Sequence, residues 1–203
     1  MYVTSLEKLF ETKLRQALDI EEQVADAAPH LARAVHNEQL RNALDQHIRH
    51  GTQHVTRLRR VLENRGIDVR REECIAIRAL LRETQMMLER VMDPETRDAF
   101  IISAQQAIEH HEIAAYGTLR TWARQLGHPE DAALLQRTLD EESHADEILS
   151  AIAEQVVNPQ AARGGEREIV IANDGNGDRS RSGESDGLDR VSGVIVERGA
   201  DMR

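Results

Sequence analysis

Over the first 157 or so residues, apolar side chains recur at intervals of three and four with charged residues between them, the spacing of amphipathic helices. The pattern predicts a first helix from about Ser5 to Val35, with Pro29 as the place for a kink, and a second from about Glu38 to Asn64, stopped by Arg65-Gly66. A shorter helix follows over about 71–91. Asp93-Pro94-Glu95 opens a fourth, with Asp as N-cap and Pro at the first helical position, and Gly127 ends it. His128-Pro129-Glu130-Asp131 opens a fifth that runs to about Val156. Helices near 30 residues span about 45 Å. Short connections near Asn37 and Gly127 make two antiparallel hairpins with the shorter helix between them, so the expected class is all-α, a four-helix bundle with one additional helix.

The pattern breaks down near Asn158-Pro159. Four of the 12 glycines lie before that point and eight after it, among Ser, Asp and Arg. Such a segment buries too little apolar surface to offset the entropy of ordering it. The expected organisation is a helical bundle over 1–157 and a low-complexity, mostly disordered tail over 158–203. Two apolar patches in the tail, 168–172 and 191–196, have the composition to form a hairpin or to dock elsewhere.

Composition narrows the picture in three ways. A formal net charge of −10 argues against a general nucleic-acid binder. No apolar run reaches the roughly 20 residues of a membrane span, and no apolar segment of a signal peptide follows Met1. A single cysteine, Cys74, rules out an intrachain disulfide and fits a reducing cytoplasm, with burial as a small apolar group its expected role. Aromatic residues make up only 2% of the chain, so the core must come from aliphatic side chains, which suits packed helices.

The apolar stripes are interrupted by ionisable groups. On the first helix Glu21 falls in line with Leu14, Ala17, Val24 and Leu31. On the second, His47, His50/Gly51 and His54 stand between Leu44 and Leu58, with His54 the weakest of the three candidates. On the fourth, Glu112 shares the seam with Ile108 and Leu119, one turn after Glu109. On the fifth, Glu141 falls in line with Leu134, Thr138, Ala145 and Ile148, with His144 beside it. Glu141-x-x-His144 places a carboxylate and an imidazole one turn apart, the spacing that supplies paired ligands in carboxylate-bridged dimetal bundles.

Heights along the helices agree. Glu21 lies about 16 residues before the turn near Asn37, and His47 and His50 about 10–13 after it. Glu112 lies about 15 residues before Gly127, and Glu141 and His144 about 14–17 after it. All are then roughly 15–25 Å from their turns and able to share one layer. Isolated buried charges cost several kcal/mol each unless they pair or bind a cation. Two readings follow: a metal site, or a set of seam carboxylates paired with the chain's many arginines and histidines.

The run Ala104-Gln105-Gln106-Ala107-Ile108-Glu109-His110-His111-Glu112-Ile113-Ala114-Ala115-Tyr116-Gly117-Thr118-Leu119 resembles the bacterial YciE/YciF family of ferritin-like, rubrerythrin-like stress proteins. So do Leu135–Glu142, Ile20-Glu21-Glu22-Gln23, and Arg57-Leu58 following His47. The likeness covers about Leu6 to Ala153 and is most specific in its C-terminal half. Asp140–Asp146 is also similar to the fourth-helix motif of bacterioferritins. Where the family's second helix typically reads His-Leu-Glu-Glu-Thr, this chain reads His47-Ile48-Arg49-His50-Gly51. A His in place of a carboxylate lowers the negative charge of the site and favours iron or zinc over magnesium, in a less symmetric centre.

The resemblance implies a ferritin-like bundle, commonly dimeric, with a dimetal centre. The metal-associated set is Glu21, His47, His50, Glu109, Glu112, Glu141 and His144, within which Glu109, like His111, is also a candidate for orienting the ligands. Tyr116, one turn beyond Glu112, is the candidate catalytic group, as a donor to a ligand or a neighbour of the oxidant. Two iron ions are the expected cofactor, with manganese or zinc as alternatives, and oxygen or peroxide as the oxidant. The expected function is Fe(II) oxidation or peroxide consumption by a cytoplasmic homodimer. The alternatives are a non-catalytic stress protein that binds a partner through its acidic surface, and a manganese-type peroxide dismutase.

Overall fold

A computed structural model describes residues 2–164, and these are helical nearly throughout. Helix α1 spans Leu6–Ala34, α2 Glu38–Asn64, α3 Ile75–Leu88, α4 Pro94–Gln125 and α5 Pro129–Ile152. No strand occurs among the described residues. The expected class and element order are observed. The expectations for 168–172, 191–196 and the rest of the tail beyond residue 164 lie outside the described residues.

Local chemistry sets the boundaries. Ser5, Asn37 and Asp93 each accept a hydrogen bond from a backbone N–H of the first turn that follows, at 3.2, 3.1 and 2.7 Å. Gly66 and Gly127 end α2 and α4 with φ of 63° and 81°, values that cost a residue with a Cβ far more than glycine. Pro29 does not interrupt α1. It lies on the exposed face, where water can take the carbonyl that a proline leaves free. After Ile152 the chain makes one π-helical turn, Ala153–Val157, and remains helical through residue 164.

Each long helix packs against two others: α1 against α2 and α4, and α5 against α4 and α2. The two tight turns lie at opposite ends of the bundle. Asp98 near the start of α4 accepts the His36 and Asn37 amides of the α1–α2 turn at 2.8 and 2.7 Å. At the other end Asn64 of α2 donates to Asp131 of α5 at 3.0 Å. The segment through α3 therefore returns the chain along the bundle's length, and α3 covers the groove between α1 and α4. Its N-terminus is tied down by Asp19 of α1, which accepts the Cys74 amide at 2.8 Å. Cys74 is buried, as expected of a small apolar group.

The core has two apolar ends along the bundle axis and a smaller third cluster, Ile20, Val24, Cys74, Ile77 and Ile108, where α3 packs on α1 and α4. Phe10, Leu14, Leu58, Leu62, Leu119 and Leu135 fill the end near the α4–α5 turn. Leu31, Val35, Leu40, Ile101, Leu149 and Val157 fill the end near the α1–α2 turn. Between them lies a layer of buried ionisable side chains.

Candidate metal centre

Six side chains make that layer. Glu21 comes from α1, His47 and His54 from α2, Glu109 and Glu112 from α4, and Glu142 from α5, and all six are buried. They form two groups. His47, Glu109, Glu112 and Glu142 each offer a ligand atom, all within 4.8 Å of one another, and so do Glu21, His54 and Glu142. Glu142 belongs to both. Its Oε2 lies 3.7 Å from His47 Nδ1, and its Oε1 lies 2.8 Å from His54 Nδ1. His47 Nδ1 is also 3.3 Å from Glu109 Oε1, and His54 Nδ1 is 3.4 Å from Glu21 Oε1.

These atoms lack donors. Among the described residues, Glu109 Oε2, both oxygens of Glu112, both oxygens of Glu142 and His54 Nδ1 are buried without a hydrogen bond. His54 Nδ1 approaches Glu142 closely yet in a direction that makes no hydrogen bond. Buried polar groups are almost always paired, so six unpaired atoms converging on one layer point to something else that satisfies them. Carboxylate oxygen with imidazole nitrogen is a donor set that suits iron, manganese or zinc. Four Glu and two His is also the inventory of carboxylate-bridged dimetal bundles. Here it is distributed differently, with both imidazoles on α2 and two carboxylates on α4. Each group could hold a metal ion, and Glu142 offers an oxygen to both.

A surrounding set of hydrogen bonds holds these side chains in place. Gln105 donates to Glu109 Oε1 at 2.8 Å, and the buried Tyr116 hydroxyl donates to Glu21 Oε1. Glu141 takes both Nη atoms of Arg57, at 2.6 and 2.9 Å, and the Nε2 of His54 at 2.9 Å. Arg57 also donates to Thr138 at 3.1 Å. With Nε2–H directed at Glu141, it is His54 Nδ1 that faces Glu21 and Glu142, and in the neutral ring that atom would carry the lone pair. This is the carboxylate–histidine arrangement that orients metal ligands elsewhere.

The electrostatics carry the same message. Burial, reinforced by Glu142, Glu21 and Glu109, raises Glu112 well above the ordinary carboxylate range. Burial likewise lifts Glu109 to about 8, against the opposing pull of His47. Burial alone would lower His54, but Glu142 and Glu21 outweigh it and raise the imidazole to about 10. Burial and the neighbouring Glu21 push Tyr116 well up, so the phenol keeps its proton. Glu141 goes the other way: burial opposes its charge, yet Arg57 and His54 hold it down near 2.

The structure therefore brings together Glu21, His47, Glu109 and Glu112 from the sequence-predicted set, with Tyr116 against Glu21. It places the other three elsewhere. Glu141 is an ion-pair partner of Arg57 and His54, His144 has a side chain 66% exposed beside Glu147, and His50 is half-buried outside both groups. The helical face explains this placement for Glu141 and His144. The buried positions of α5 are Asp131, Ala132, Leu135, Thr138, Glu142 and Leu149, one residue out of step with the seam read through Leu134, Glu141 and Ile148. Sequence reasoning thus missed Glu142 and set His54 aside. A signal for His54 existed: 40, 44, 47, 51, 54, 58 and 61 alternate steps of four and three, and His50 falls outside that series. His111, the other orienting candidate, instead contacts the Cys74 thiol at 3.5 Å.

Comparison with known proteins agrees with this architecture. The model of a domain of unknown function, DUF892, matches residues 5–162. Protein YciF of Escherichia coli (strain K12) is 36% identical over 162 residues, covering 79% of this chain and 98% of that protein. The crystal structure of that E. coli stress protein matches with a TM-score of 0.74, over 77% of this chain and 99% of that one. YcfI from Rhodopseudomonas palustris, 32% identical, matches with a TM-score of 0.73 over 74% and 96% of the two chains.

Proposed function

The chain belongs to the DUF892 family, with the E. coli stress protein YciF among its relatives, and on that premise we propose that it is a dimetal-carboxylate stress protein that oxidises Fe(II). The observation that carries the reading is the buried layer of four carboxylates and two imidazoles, in which six atoms of Glu109, Glu112, Glu142 and His54 have no hydrogen bond. Iron bound there would supply one-electron chemistry, in which oxidation of two Fe(II) would balance the conversion of one hydrogen peroxide and two protons to two waters. Oxygen is the alternative oxidant, and a cytoplasmic homodimer is the expected setting.

This chain's own residues do three things in that scheme. Glu142 offers one oxygen to each group and would be shared between cations bound in the two. Tyr116, kept protonated by burial, donates to Glu21 and so selects which carboxylate oxygen is free to bind. Arg57 and Glu141 fix the His54 ring, and the apolar clusters on either side exclude bulk water from the layer.

One observation favours a second reading. His54 is held protonated by Glu142 and Glu21, as in a purely structural charge network. That network leaves Glu112 without a partner. Metal content separates the two readings. After Fe(II) reconstitution, mass spectrometry of the wild type should find close to two ions per chain, and Glu112→Ala should lose most of them. Trace metal in the wild type, or equal loading in both, would sink the dimetal reading. Oxygen or peroxide consumption on Fe(II) addition then reports turnover.

A further inference from the structure

The six-residue layer is closed on most sides. Glu21, His54, Glu109, Glu112, Glu142 and Tyr116 are at most 2% exposed, and α3 covers the α1–α4 groove. The larger pocket beside α3, about 410 Å³, touches none of them. The groove between α2 and α5 is different. It holds a cavity of about 20 Å³, room for one water-sized body, whose lining runs from surface residues to the layer itself. His50 and the exposed His144 stand at its outer side, and His47 and Glu109 at its inner side. Leu44 and Ile148 are among its apolar walls. Glu109 is fully buried, and its Oε2 has no hydrogen-bond partner.

We propose that this groove is the entry route for divalent cations, with His50 and His144 as a transient capture pair that passes each ion to His47 and Glu109. The proposal rests on the metal reading of the layer. Imidazole suits the outer position because it binds a divalent cation in exchange for water yet, without a carboxylate's charge, releases it to a more anionic site. Gln46 and Glu141 also line the cavity, but Glu141 is already held by Arg57 and His54, and a low-dielectric passage focuses the field of the carboxylates behind it. The two histidines the sequence offered as ligands thereby acquire a role outside the layer.

Co(II) binding followed by stopped-flow absorbance tests this, with final occupancy by mass spectrometry. The double variant His50→Ala/His144→Ala should reach wild-type occupancy with an association rate lower by about tenfold or more. Ala145→Leu, which narrows the same cavity without removing an imidazole, should slow loading as well. Unchanged rates in both proteins would overturn the route, and so would a lower final occupancy in the double variant, which would make the two histidines ligands. A wild type that takes up no Co(II) would overturn the metal reading itself, and the route with it.

Discussion

Neighbouring carboxylates on one helix can hold opposite roles. Glu141 and Glu142 are adjacent, both within reach of His54, and differ by about 100° around α5. Glu142 faces the centre of the bundle with both oxygens unpaired, whereas Glu141 is neutralised by Arg57 and turns the imidazole toward its neighbour. Their substitutions should separate. Glu142→Gln removes the group common to both clusters and should abolish loading by two ions. Glu141→Gln should keep that stoichiometry and weaken affinity roughly 10–100-fold, the usual cost of losing a carboxylate behind a ligating histidine. Titration calorimetry distinguishes them, and equal losses in the two would contradict the assignment. At this scale the sequence was half legible. Glu21, His47, Glu109 and Glu112 stood out because each breaks an apolar stripe at one height. Glu142 did not, because Glu141 lies beside it on a helix with apolar residues on both flanks: Leu134 with Leu135, and Ile148 with Leu149.

The helices themselves were readable because caps, glycine stops and periodicity agree. Less readable was what sets one hairpin against the other. The two tight turns lie at opposite ends, so the heights counted from them meet only because each group sits near mid-helix. Asp98 is one of the contacts that fixes this register, joining α4 to the α1–α2 turn through two amides. Asp98→Ala removes both hydrogen bonds at the part-buried α1–α2 turn and should cost about 2–4 kcal/mol, one to two hydrogen bonds to a charged acceptor. Urea unfolding at neutral pH measures it, and a loss below 0.5 kcal/mol by the same scale would show that water replaces the carboxylate.

For the whole molecule, the buried layer predicts an unusual pH profile. Glu109 and Glu112 have folded pKa values raised above the ordinary 4.5, Glu109 to about 8, and His54 rises from 6.5 to about 10. In each case the folded chain holds protons that the unfolded chain gives up. Their stabilising contribution is complete below the unfolded values and is lost as pH rises through the folded ones. Metal-free protein in chelator should therefore melt at progressively lower temperature from about pH 5 to pH 10. Ligation requires deprotonated groups, so metal affinity should rise over the same range and oppose the decline. Scanning calorimetry with and without bound metal shows this as two diverging curves, and parallel curves would refute it. The charged layer was foreseeable from the broken stripes, but the direction of its titration was not, since that depends on which groups face one another without donors.

The division of the core has a mechanical consequence. A bundle with an unbroken oily axis melts as one piece, but here the two apolar ends are separated by a band of ionisable groups, with only the smaller cluster of Ile20, Val24, Ile77 and Ile108 packed beside it. That band is a fault line. Emptied of cations, the molecule can loosen at one end while the other stays packed, and ions held by Glu142 would rivet the halves into a single cooperative unit.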